Sequence, residues 1–172
     1  MDIKIYPDPV LLKNCESVEK VDDNFISTVS MMVDTMRAAE GIGLAAPQVG
    51  ILERFFVCLD FDDENKEKTI VLINPEITKM EGRIESKEGC LSIPGFYEYV
   101  YRYEKIEIKA YDLTGKEVIY VPDGIQSVVF QHEFDHLDGI LYVDRIKDLS
   151  LFAFEDEFKK FHDNQTHEDN KT

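Results

Sequence analysis

Apolar residues recur at helical spacing through Phe25, Ile26, Val29, Met32, Val33 and Met36, which predicts a helix with one packed face. Asp22, Asp23 and Asn24 supply capping side chains ahead of it, and Gly41 is the expected stop. The methionine-rich stripe reads as core packing rather than a binding surface. Upstream, Pro7-Asp8-Pro9 precedes a short apolar turn, Val10-Leu11-Leu12. Beyond Gly41 the period shortens to that of strands. Arg54 to Leu59 and Thr69 to Ile73 are β-rich runs flanking Asp60 to Asn65, an acidic segment read as a solvated turn. As a calcium loop it lacks the glycine and the terminal glutamate spacing. Lys105 to Asp112 alternates, with Ile106, Ile108 and Ala110 on one side; Thr114-Gly115 turns the chain and Glu117 to Val121 returns as the hairpin partner. From Asp123 the pattern is helical again, with Ile125, Val128, Val129, His132, His136 and Leu137 on one face and Gly139 as the end. A last helix is expected over Leu149 to Phe161, carrying Leu151, Phe152, Phe154, Phe158 and Phe161, followed by a frayed polar tail from Asp163 to Thr172. The fold class that follows is α+β, with small antiparallel or mixed sheets around a central helix, a helix near the N-terminus and another near the C-terminus.

No linker or repeat divides the 172 residues, so one domain over 1–172 is expected, with 163–172 as its tail. A hydrophobic fraction of 44%, with 11 Phe and 8 Tyr, excludes wholesale disorder. The formal charge of −16 is spread along the chain without a basic cluster, which argues against phosphate backbones and anionic lipid as partners. Met1 to Pro7 lacks the apolar stretch of a secretion signal, and the run Phe55 to Leu59 is too short to span a bilayer. Cys15, Cys58 and Cys90 have no disulfide or Cys-x-x-Cys spacing, so a reduced, cytoplasmic setting is expected.

The sharpest chemical signal is Gln131-His132-Glu133-Phe134-Asp135-His136 within the second helix. A separation of four residues stacks His132 and His136 on one face, where two imidazoles can bind one metal, with Glu133 beside them to handle a proton. A catalytic site usually has a third protein ligand, and two sources are open: a downstream Glu155 or Glu157, or Cys90 in Lys87-Glu88-Gly89-Cys90-Leu91-Ser92. Cys90 follows a glycine, has polar neighbours and lies outside any regular strand pattern, unlike a core cysteine. Cys15 and Cys58 read as structural. In Gly41-Ile42-Gly43-Leu44-Ala45-Ala46-Pro47-Gln48, small residues let the backbone approach something closely and Gln48 offers an amide donor. The segment lacks the later Gly and Lys of a nucleotide loop; alone it would be a helix end followed by a tight strand.

Together, Gly41 to Gln48, Glu88-Gly89-Cys90-Leu91-Ser92 and Gln131 to His136 resemble, in order and content, the three signature motifs of the peptide deformylase family. The resemblance extends to Tyr6-Pro7-Asp8-Pro9-Val10-Leu11, Asn74-Pro75, Arg102, Leu137 and Gly139. It implies a metal-dependent hydrolase that removes the formyl group from the formyl-methionine terminus of newly made bacterial or organellar polypeptides. It further implies Cys90, His132 and His136 as metal ligands with a water in the fourth place, and Glu133 as the group that takes a proton from that water and passes it to the departing amine. Gln48 and the backbone N–H of Leu91 would hold the developing oxyanion. Ile42, Ile125, Val128 and Val129 are the matching candidates for the methionine pocket, and Gly43 and Gly89 for further substrate contact. Glu88 and Arg102 are expected to pair and brace the ligand loop. Fe²⁺ is the ion the resemblance favours, with Zn²⁺, Ni²⁺ or Co²⁺ able to take the same site. The expected partners are N-formyl-methionyl nascent peptides near the ribosome exit. The chain is expected to be a monomer, cytoplasmic or organellar by descent.

Two other readings compete. A zinc endopeptidase using His132, His136 and Glu155 or Glu157 leaves the Cys90 and Gln48 segments unexplained. A structural metal site in a binding module needs a fourth ligand, and the remaining histidines, His162 and His167, fall in the tail.

Overall fold

A computed structural model describes residues 1–66 and 68–146. The helix expected at Leu149 to Phe161, the tail, and Glu155 and Glu157 lie outside the described residues.

Strand β2 (Phe55–Leu59) explains how the layers are arranged. It is a continuous apolar run because both of its faces are covered. Phe55 and Val57 turn toward the first helix, α1 (Asp23–Ala38), and Phe56 and Cys58 turn toward the second, α2 (Gly124–Leu137). Strand β2 pairs antiparallel on one side with β1 (Gly43–Ala45) and on the other with β3 (Thr69–Glu81). Counting β4 (Ile84–Cys90) and β5 (Ile93–Arg102) as a separate hairpin, the main sheet runs β1-β2-β3-β6-β7, where β6 is Lys105–Tyr111 and β7 is Glu117–Tyr120. Every pairing between these strands is antiparallel. The expected hairpin at Thr114-Gly115 is the β6–β7 connection, with Ile106, Ile108 and Ala110 buried as the alternation implies. No helix among the described residues is long and apolar enough to cross a membrane.

On α1, Asp22 caps the first turn, its Oδ1 accepting from the Phe25 N–H at 3.0 Å. Phe25, Val29, Met32 and Met36 form the buried stripe, and the Phe25 and Phe55 rings meet edge to face at 4.7 Å. Ile26 departs from the expectation: at one residue past Phe25 it is rotated off the stripe and is exposed. The stop also differs. The helix closes at Ala38, Glu40 takes a left-handed backbone (φ 55°), and the Gly41 N–H reaches back to the Met36 carbonyl at 2.9 Å. Gly41 is small for another reason, since a Cβ there would lie 2.6 Å from Leu91 Cδ1.

The largest difference is the β4–β5 hairpin. Its residues carry no clean apolar alternation, because one face packs on the short helix Tyr142–Arg145 while the other exposes Tyr97, Tyr99 and Tyr101. Cys90, expected outside any strand, ends β4 at a register shift between Gly89 and Cys90. The acidic turn is present, but Asp60 is buried and paired with Lys68 at 2.9 Å rather than solvated.

Candidate metal centre

Three segments far apart in sequence meet at one cleft. The end of β4 contributes Cys90, the C-terminal half of α2 contributes His132, Glu133 and His136, and β1 with its following 3-10 turn (Ala46–Val49) contributes Gly43 and Gln48. One ligand atom from each of Cys90, His132 and His136 lies within 4.8 Å of the others. Cys90 Sγ is 3.3 Å from His136 Nε2, and the two imidazoles sit 5.1 Å apart at 72°. A thiol and two imidazoles are the soft and borderline donors that divalent transition metals take, so the residues fit a metal ion.

The helix expected to be amphipathic is buried nearly all round beyond its first three residues, from Ser127 to Leu137 with Phe134 the exception. A buried imidazole needs its non-ligating nitrogen satisfied. For His132 this is done by Glu88, whose Oε2 faces Nδ1 at 2.8 Å and leaves Nε2 for a metal. Glu88 is 6% exposed and is itself held by Arg102, whose Nε and Nη2 donate to its two oxygens at 2.7 and 2.8 Å. Burial alone would raise the Glu88 carboxyl, yet the bonds from Arg102 and His132 overcome it and hold its pKa down at about 2. The expected Glu88–Arg102 pair is therefore present, and it reaches His132. Arg102 also donates through Nη1 to Asp135, which accepts two further bonds from Arg145. Among the described residues, no charged partner favours a protonated His136. Burial, with His132 and Arg102 nearby, drives its pKa well below the ordinary value and keeps the imidazole neutral, the form that ligates.

Glu133 lies beside the ligands but turns toward β1. Its Oε1 occupies the space a side chain on Gly43 would need, a Cβ there lying 2.3 Å away. Burial pushes the Glu133 carboxyl up to about 7, close to where a general base or acid works best. Among the described residues, Glu133 Oε2 and His136 Nδ1 are the buried side-chain atoms without a hydrogen-bond partner. Gln48 is oriented by the backbone three residues earlier: Oε1 accepts from the Ala45 N–H at 2.8 Å, which aims Nε2 at Cys90 Sγ (3.4 Å) and Ser92 Oγ (3.2 Å).

The cleft encloses about 460 Å³. Its walls include the expected residues Ile42, Gly43, Gly89, Leu91, Val128 and Val129. Ile125 also lines it, at 51% exposed, and Ile42 is 44% exposed, so these two form the mouth rather than the floor. Cys15 and Cys58 are buried away from it, and burial pushes the Cys15 thiol up to about 11. Residue-by-residue reading passed over Ser92, Asp135, Tyr142 and Arg145. Asp135 had a positional signal, three residues after His132 and so on a neighbouring face, but no spacing rule names its partners.

A His-Glu-x-x-His helix joined to a candidate third ligand at the edge of a mixed α+β scaffold points to a metal-dependent hydrolase. The model of the polypeptide deformylase family matches residues 1–151, and the chain belongs to that family. A peptide deformylase of Thermodesulfovibrio yellowstonii is 45% identical over 159 residues, covering 92% of this chain and 96% of its own. Among solved structures, a peptide deformylase from Legionella pneumophila superposes with a TM-score of 0.86 at 39% identity, covering 96% of each chain. One from Synechococcus elongatus, in complex with actinonin, gives 0.83 at 41% identity over 87% of this chain and 82% of its own. The family and the fold disfavour the endopeptidase reading.

Proposed function

We propose that this chain removes the formyl group from the formyl-methionine terminus of nascent polypeptides, with Cys90, His132 and His136 as metal ligands and Glu133 as proton carrier. The observation that carries the reading is the convergence of that ligand set, Glu133 and Gln48 on one cleft with an apolar wall. A bound divalent ion supplies Lewis acidity and brings the pKa of a water molecule toward neutrality. Glu133, buried and with one oxygen unpaired, takes the proton as water attacks the formyl carbon. When the C–N bond breaks, the same carboxyl returns that proton to the departing amine, and formate leaves. Gln48 Nε2 and the Leu91 N–H donate to the oxyanion that develops between those steps. Ile42, Ile125, Val128 and Val129 receive the methionine side chain, and Gly43 and Gly89 offer their backbone groups to the peptide. The whole chain acts as one catalytic domain, a monomer that meets its substrates in the cytoplasm near the ribosome exit.

Thiolate and imidazole ligands accept iron, zinc, nickel and cobalt, so geometry and availability decide the occupant. Fe²⁺ is the resident ion in this reading. The test is formate release from formyl-Met-Ala-Ser by protein purified without oxygen and reconstituted separately with each of the four ions. Formate release, fastest with Fe²⁺ and without internal peptide cleavage, is the expected result. Internal cleavage without formate would overturn the reaction; a faster rate with another ion would overturn the choice of iron alone.

A further inference from the structure

Tyr142 opens the short helix that follows α2 and is 1% exposed. Its ring lies over the His132 imidazole, with centroids 5.8 Å apart and planes 25° from parallel. At the other end its hydroxyl donates to the Phe96 carbonyl at 2.9 Å, and the Phe96 ring leans on it at 6.3 Å. Phe96 sits inside a short piece of cleft wall, since Pro94, Gly95 and Tyr97 all line the cleft. Tyr97 in turn covers Gly89, where a Cβ would lie 2.4 Å from its ring. This wall needs an anchor. Pro94 and Gly95 are exposed, Gly95 has a left-handed backbone (φ 79°), and the β4–β5 register breaks beside them. The Tyr142 helix is fixed from behind, because Arg145 grips Asp135 on α2 and the Leu141 N–H donates to Asp144 at 2.8 Å. One stiff aromatic side chain therefore spans from a metal ligand to the rim of the cleft. A buried tyrosine suits this, as its ring packs while its hydroxyl keeps a fixed partner.

We propose that Tyr142 is a positioning residue with two ends: its ring fixes the plane of His132, and its hydroxyl fixes the Pro94–Tyr97 wall along which the peptide beyond the formylated residue lies. The substrate half of this rests on the deformylase reading; the structural half does not. Tyr142→Phe removes the hydroxyl and keeps the ring. Hydrogen exchange of the amides of 95–97 should then accelerate about fivefold, the worth of one hydrogen bond, with other strands unchanged. The KM for formyl-Met-Ala-Ser should rise by about the same factor, more than for formyl-methionine alone, with kcat altered less. Tyr142→Leu removes the ring as well and should also speed loss of Co²⁺ to a chelator, seen as decay of the cobalt absorption bands. Wild-type exchange at 95–97 in Tyr142→Phe would overturn the hydroxyl's role, as would acceleration spread evenly over all strands. Wild-type cobalt retention in Tyr142→Leu would overturn the ring's role. Should the unmutated protein release no formate, the deformylase reading fails, while the exchange and cobalt measurements still decide whether Tyr142 is the strut.

Discussion

Glu88 accepts from His132 Nδ1 at 2.8 Å while both of its oxygens also accept from Arg102. A carboxylate so held fixes which nitrogen of His132 faces the metal and raises the basicity of the imidazole. Removing it should loosen the metal without touching a ligand. Glu88→Gln is expected to weaken metal binding by about 10–100-fold. Competition with a chelator of known affinity checks this, and an unchanged affinity would show that the Glu88 bond to His132 does not tune the ion's hold.

Gly43 offers a test that leaves every ligand in place. A Cβ at this position would lie 2.3 Å from Glu133 Oε1 and 2.8 Å from its Cδ, so Gly43→Ala must displace the carboxylate. Displacement on the scale of 1 Å costs about 100-fold when a catalytic group loses its geometry. The expected variant is folded, metal-replete and slowed by roughly that factor in kcat. Metal content and steady-state kinetics on the same preparation decide it.

The three thiols should separate by chemistry. Burial pushes Cys15 up to about 11 and raises Cys58 well above the ordinary thiol range, and both are sealed in the core. Cys90 is half-buried at the cleft. With metal bound, the native protein should resist iodoacetamide at all three; after chelation, alkylation should appear at Cys90 alone. Mass spectrometry of the peptides reads the result, and modification of Cys15 or Cys58 at a comparable rate would contradict the packing described.

Much of this was legible in the chain, for reasons that differ by element. The α1 stripe and the β6–β7 hairpin were readable because each buries one face, so their periodicity survives in sequence. The pair His132 and His136 was readable because helical geometry turns a spacing of four residues into proximity. The β4–β5 hairpin was not readable, since its tyrosines point outward and its buried face carries Glu88 and Arg102, which satisfy each other instead of following an apolar alternation. Nor could spacing alone bring Cys90 to the two histidines; that depends on β4 ending beside α2, a tertiary fact. Gly41 shows the same limit. Its place after the apolar stripe predicts a helix stop, but its lack of a side chain answers to Leu91, 50 residues on.

The central claim is that Glu133 carries the proton while Cys90, His132 and His136 carry the metal. Glu133→Gln keeps the shape of the side chain in its slot against Gly43 and removes its basicity. The decisive measurement is kcat on formyl-Met-Ala-Ser for this variant, taken beside its metal content. The account predicts a full complement of metal with kcat lower by about two to four orders of magnitude, the usual worth of a general base. Near wild-type turnover, or a variant that has lost its metal, would contradict it.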